Sequence, residues 1–153
     1  GANATRYLLL PTYCASIRDE ALQALTLPDD DRLIVSVHLY EPYAFALQEN
    51  GTSHWDPDRD ADTKPIREAI ANLQKRFIDR GIPVLITEYG AMDKHNEAAR
   101  VAWANYVGRL AGTANIRCIW WDTSLLEAET LTWRSPNLLR ALTQTSESSK
   151  GSP

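Results

Sequence analysis

The sequence is poor in the features that mark membrane, metal and nucleic-acid proteins. Its longest apolar runs, such as residues 7–11 and 33–37, fall far short of the roughly 20 residues that a transmembrane helix needs. Only two cysteines, Cys14 and Cys118, and three histidines occur in 153 residues. With no CxxC pair and no Cys/His cluster, neither a metal nor any other cofactor is expected, and the two thiols read as free and buried. Lys and Arg number 16 against 20 Asp and Glu, a net charge of −4. The basic residues form no stripe that could follow a phosphate backbone, so nucleic acid is not an expected partner. The N-terminus carries no basic, apolar, small-residue leader.

What is present is a globular composition, 44% hydrophobic, in a chain long enough for one domain with a proper core. Periodicity gives one pattern four times: a short apolar strand, a polar loop and an amphipathic helix. The strands are expected at residues 6–11, 33–38, 83–88 and 116–121. The first helix falls within residues 17–27. The second starts after Thr63 with Pro65 in its first turn and is closed by Gly81. Asn96 is the expected cap of the third, which runs to about Gly112, and Ser135-Pro136 opens the last, through about Leu142. Residues 1–143 therefore read as one domain, and residues 144–153 as a polar tail. Strand and helix alternating at this spacing means parallel strands joined by right-handed crossovers, an α/β fold.

In a parallel arrangement the carboxyl ends of the strands open on one face, so residues remote in sequence can converge there. Those ends carry Thr12 and Tyr13; His38, Tyr40 and Glu41; Glu88; and Trp120, Trp121 and Asp122. A carboxylate can attack an anomeric carbon, a tyrosine hydroxyl can orient it, and an indole can support a sugar ring. Trp120 and Trp121 alternate sides, so at least one belongs to packing. The loop over residues 39–64 is long for a connector and contains Tyr40, Tyr43, Phe45, His54 and Trp55. Its rings suit either stacking on sugars or a small core beneath the loop.

Four segments together resemble the C-terminal half of a glycoside hydrolase family 5 cellulase, a retaining endo-β-1,4-glucanase. Arg6-Tyr7-Leu8-Leu9-Leu10-Pro11-Thr12-Tyr13 resembles its fifth strand, and Val35-Ser36-Val37-His38-Leu39-Tyr40-Glu41-Pro42-Tyr43 its sixth. Pro83-Val84-Leu85-Ile86-Thr87-Glu88-Tyr89-Gly90-Ala91 resembles the seventh, and Ile119-Trp120-Trp121-Asp122 the eighth. The resemblance implies the (β/α)4 half of a TIM (β/α)8 barrel, with Glu88 as nucleophile. It further implies that His38, Tyr40 and Trp121 contact substrate; the aromatic loop adds Trp55 as a sugar-binding candidate. The substrate class is a β-glucan poly- or oligosaccharide, and the parent enzyme is expected to act outside the cell. Where the family often has Trp-Asp-Asn-Gly, this chain has Trp121-Asp122-Thr123-Ser124.

A retaining glycosidase needs two carboxyl groups roughly 5–5.5 Å apart. The family's acid/base glutamate lies in an Asn-Glu-Pro context, which does not occur in this sequence. Four strands also leave a barrel open, and a two-fold homodimer is the simplest closed solution for the chain alone, with a flattened four-stranded sheet dimerised through its face as the competitor. In such a dimer the two Glu88 carboxylates would stand about 8 Å or more apart, too far for retaining chemistry though within the inverting window of roughly 6.5–9.5 Å. The expectation is a cellulase-type half with weak or no hydrolysis by itself. The alternative is an inactive, self-assembling half-barrel that at most binds carbohydrate.

Overall fold

A computed structural model describes residues 5–121 and 125–144. Its elements in chain order are β1 (Leu8–Ser16), α1 (Asp19–Ala24), β2 (Leu33–Leu39), α2 (Tyr43–Ala46), α3 (Asp60–Arg76), β3 (Val84–Tyr89) and α4 (Glu97–Thr113). β4 (Arg117–Trp120), a small hairpin of β5 (Leu126–Glu127) and β6 (Thr132–Trp133), and α5 (Pro136–Gln144) complete it. β1 to β4 form one parallel sheet in sequential order, as the alternating pattern requires.

One face of the sheet is covered by helices. Val35 and Val37 of β2 and Ile86 of β3 are fully buried there, against Ile66, Ile70 and Leu73 of α3 and Trp103, Ala104 and Val107 of α4. The apolar positions of α3 recur at spacings of three and four, which sets one stripe toward the sheet. Gly81, at φ 76°, ends the short 3-10 turn that extends α3, a conformation that favours glycine. α3 begins earlier than the sequence suggests, so Pro65 lies inside it. The residue that loses a helical bond to Pro65 is Ala61, which is exposed.

The structure corrects several boundaries. β1 continues to Ser16 through an irregularity: between Pro11 and Ser16 it has five steps where β2 has two, from Ser36 to His38. Cys14 and Ala15 take left-handed φ values of 53° and 51° there, and Thr12 Oγ1 donates to the Ser16 carbonyl at 2.7 Å. Cys14 is therefore exposed rather than buried. Asn96 starts α4 without a side-chain cap; its Oδ1 accepts from the Lys94 amide instead. Ser135 does cap α5, accepting from the Leu138 amide at 3.2 Å. Of the expected tail, Thr145 onward lies outside the described residues, as does Asp122, whereas Gln144 is the last residue of α5.

Candidate active site

Glu88 owes its direction to a bulge in β3. Val84 and Ile86 face the helices, so strict alternation would send Glu88 the same way. The pairing shows otherwise: Val37 sits opposite Ile86 and His38 opposite Glu88, and on the other side Cys118 sits opposite Ile86 and Trp120 opposite Tyr89. β3 thus carries one residue more than either neighbour at this point. Thr87 and Glu88 both face away from the helices, while Tyr89 returns to the helix side and stacks on Trp103 at 5.9 Å. Thr87 shares a 2.8 Å hydroxyl contact with Ser36, which fixes the bulge against β2.

The residue opposite Glu88 is the origin of its first neighbour. His38 Nδ1 lies 3.5 Å from Glu88 Oε1, and Tyr40, two residues further along the same face, donates its hydroxyl proton to that same Oε1. Burial, then the bond to Glu88 and its charge, holds the Tyr40 phenol well above the usual tyrosine range. Tyr40 is therefore a donor at neutral pH. Both contacts fall on Oε1, so the two carboxylate oxygens of Glu88 have different surroundings.

Gly90 brings a third strand end in. A Cβ built there would stand 3.6 Å from the Trp121 Cβ and 3.9 Å from the Tyr40 ring, so the turn after Glu88 is held between Tyr40 and Trp121. Trp121 donates its amide to the Tyr89 carbonyl at 2.8 Å, continuing the β3–β4 pairing, and is 53% exposed. Trp120 points the other way, into a ring cluster with Tyr89 and Trp103. Glu88, Tyr40, His38 and Trp121 thus share one end of the sheet.

Trp55 does not join them. It is 3% exposed, packs on Phe45 and Tyr106, and donates its indole N–H to the Asp62 carbonyl. The aromatic loop is a small core with its own hydrogen bonds, which corrects the assignment of Trp55 to sugar binding. Among the described residues, no cluster of His, Cys, Asp and Glu is arranged to hold a metal ion.

The residues that hold the loops at this end were not legible in the sequence. Arg100 is buried and donates from Nε to the Ala91 carbonyl at 2.9 Å. Trp103 donates its indole N–H to the Glu41 carbonyl at 2.9 Å. Lys94 points its ammonium at three carbonyls of the loop after β2. Such partners are backbone oxygens remote in sequence, and no spacing rule announces them.

The family model described as cellulase (glycosyl hydrolase family 5) matches residues 1–125. The chain belongs to glycosyl hydrolase family 5. The cellulase/esterase CelE of Acetivibrio thermocellus is 40% identical over an alignment covering 93% of this chain and 19% of that protein. For endoglucanase B of Neocallimastix patriciarum the values are 42%, 84% and 27%. Among solved structures, a GH5-4 broad specificity endoglucanase from Clostridium acetobutylicum matches with a TM-score of 0.87 at 33% identity. One from Ruminococcus champanellensis with bound cellotriose gives 0.83 at 40%. These matches cover 93% of this chain but 46% and 44% of the two structures. The family-5 chain spans less than half of each, and its four strand–helix units are half of their (β/α)8 barrel.

Proposed function

We propose that this chain is the nucleophile-bearing half of a retaining endo-β-1,4-glucanase domain. The observation that carries it is Glu88: a largely buried carboxylate at the carboxyl end of a barrel strand, with one oxygen fixed by Tyr40 and His38. Glu88 attacks the anomeric carbon, Tyr40 and His38 orient it, and Trp121 supports the sugar ring. The acid that protonates the leaving oxygen belongs to the other half-domain, since no Asn-Glu-Pro occurs in this sequence. The substrate class is a β-glucan, and the complete enzyme works outside the cell. Separately, no helix among the described residues is long and apolar enough to cross a membrane. The rival, a non-catalytic sugar-binding half-barrel, keeps only one of its two indoles, because Trp55 is buried.

The exposed strand edges fit the same assignment. Leu8 and Leu9 on β1 and Ile119 on β4 are 51%, 48% and 52% exposed, and the occupant we assign to these edges is a complementary four-strand half. Fusing the chain to the first four strand–helix units of the Ruminococcus champanellensis endoglucanase supplies one. The fused barrel is then treated with a dinitrophenyl 2-fluoro-cellobioside. Its leaving group needs no acid, so dinitrophenolate departs as Glu88 forms an ester to the sugar carbon, and fluorine slows the ester's hydrolysis. A sugar adduct on the peptide containing Glu88 is expected; a folded barrel labelled elsewhere or not at all overturns the proposal. Sedimentation of the unfused chain as a dimer would assign the edges, for the chain alone, to a second copy.

A further inference from the structure

Lys94 has an unusual set of partners for a surface loop residue. Its Nζ lies 3.1 Å from the Ala44 carbonyl, 2.8 Å from that of Phe45 and 3.2 Å from that of Thr52. Three acceptors match the three donors of an ammonium group and no neutral side chain. Ala44 and Phe45 belong to the single turn of α2, whose carbonyls carry the negative end of its dipole. Thr52 comes from the turn that follows, and that turn folds back only because residue 51 is glycine. A Cβ on Gly51 would stand 1.9 Å from the Ala44 oxygen, well inside contact distance. The carbonyls are thus brought together by the chain's own geometry, and the ammonium closes them.

The same two segments are joined twice more. The Met92 amide donates to the Ala46 carbonyl at 2.8 Å, and Asn96 Nδ2 donates to the Ser53 carbonyl at 2.8 Å. On one side of this seam lies the loop that leaves Tyr40; on the other lies the loop that leaves Glu88. Each loop is also pinned to α4, at Glu41 by Trp103 and at Ala91 by Arg100. The pins relate the two strand ends through α4, whereas the Lys94 seam joins the two loops directly.

We propose that Lys94 is a positioning residue, which keeps the Tyr40 hydroxyl on Glu88 by lashing the loop after β2 to the loop after β3. This rests on Glu88 as the reacting carboxylate, but its test reads the Tyr40–Glu88 bond and needs no turnover. The chain is labelled with carbon-13 at the tyrosine Cζ, and the Tyr40 resonance is assigned by its loss in Tyr40→Phe. Glu88→Gln marks where that resonance lies once the carboxylate acceptor is gone. In folded Lys94→Met, well below its melting temperature, the resonance moves at least half-way to that mark.

Lys94→Gln, which keeps two N–H donors, moves it less and carries the test if the methionine variant does not fold. Lys94→Cys in a Cys14→Ser background, alkylated with bromoethylamine, restores an ammonium at nearly the original reach and returns the resonance to its wild-type position. A lowered melting temperature with the Tyr40 resonance unmoved would make Lys94 a stabilising residue only and overturn the proposal, as would failure of the restored ammonium to return it. Failure of the sugar label on Glu88 would instead sink the glucanase assignment and leave the Tyr40 resonance as it is.

Discussion

The two faces of the sheet are made from the same four strands and could hardly differ more. On the helix side, alternate residues of β2 and β3 are fully buried under α3 and α4. On the opposite side Ser36, His38, Thr87 and Glu88 carry the polar groups, and at the sheet's edges Leu8, Leu9 and Ile119 stand about half exposed. Stability resides on the helix side, where each fully buried aliphatic side chain contributes about 1.5–3 kcal/mol. The proposed chemistry belongs to the other side, which in a complete barrel is the interior. The helix-side core and the proposed reacting face are thus built on opposite sides of one sheet.

The largest expected effect is on that reacting face. In the fused barrel Glu88→Gln lowers β-glucan hydrolysis on the order of 10³-fold or more, because the amide cannot act as the nucleophile. The melting temperature changes little, since the residue contributes nothing to the helix-side core. Reducing-sugar release and a thermal melt on the same sample measure both. Next comes the converse substitution, Trp103→Ala. Trp103 is fully buried, touches Phe45, Tyr89 and Trp120, and bonds the Glu41 carbonyl. Its loss costs about 3–5 kcal/mol in denaturant unfolding. A large activity loss without a stability loss in Trp103→Ala would break the division between the faces.

Much of this division was legible in the residues themselves. Apolar runs on both sides of turn signals located all four strands, and Glu88, Tyr40 and His38 stood at their ends as the pattern requires. The bulge at Thr87 was not legible, because alternation in β3 is broken by pairing with its neighbours rather than by anything in its own composition. Trp55 was misassigned for a related reason. An indole in a long loop has the same sequence signature whether it meets sugar or Phe45 and Tyr106, and only the return of the loop onto α3 and α4 decides. The β5–β6 hairpin is two residues per strand, too short for periodicity to register.

A smaller effect sharpens the helix side. Cys118 packs there, beside Tyr89 and Gly108, and burial pushes its thiol up to about 12, the positive charge of Arg117 pulling weakly the other way. A raised pKa means that the folded chain disfavours the thiolate, so this contribution is complete below about pH 8.5 and declines as pH rises toward 12. By pH 10 the loss is about 2 kcal/mol. The phenols of Tyr40 and Tyr89 are raised as well, but tyrosine in the unfolded chain ionises only near pH 10. Between pH 8 and 10 the thiol is thus the term to isolate, and Cys118→Ala should flatten the fall in melting temperature over that window.

In the chain alone the smallest effect is expected at Ile119, and its contrast with the fused barrel carries the comparison furthest. Ile119 alternates with Cys118 and Trp120, so it faces away from α4 toward the side where a complete barrel has its interior. In the chain alone Ile119→Lys exchanges one half-exposed side chain for another, and unfolding should shift by no more than about 0.5 kcal/mol. In the fused barrel the same ammonium would be taken out of water with no partner of opposite charge, which costs several kcal/mol unless it deprotonates. Denaturant unfolding of both forms gives the difference between the two costs. A large loss in the chain alone would mean that this face is already covered there, by a second copy rather than by solvent, and the melting temperature of that variant would then depend on protein concentration.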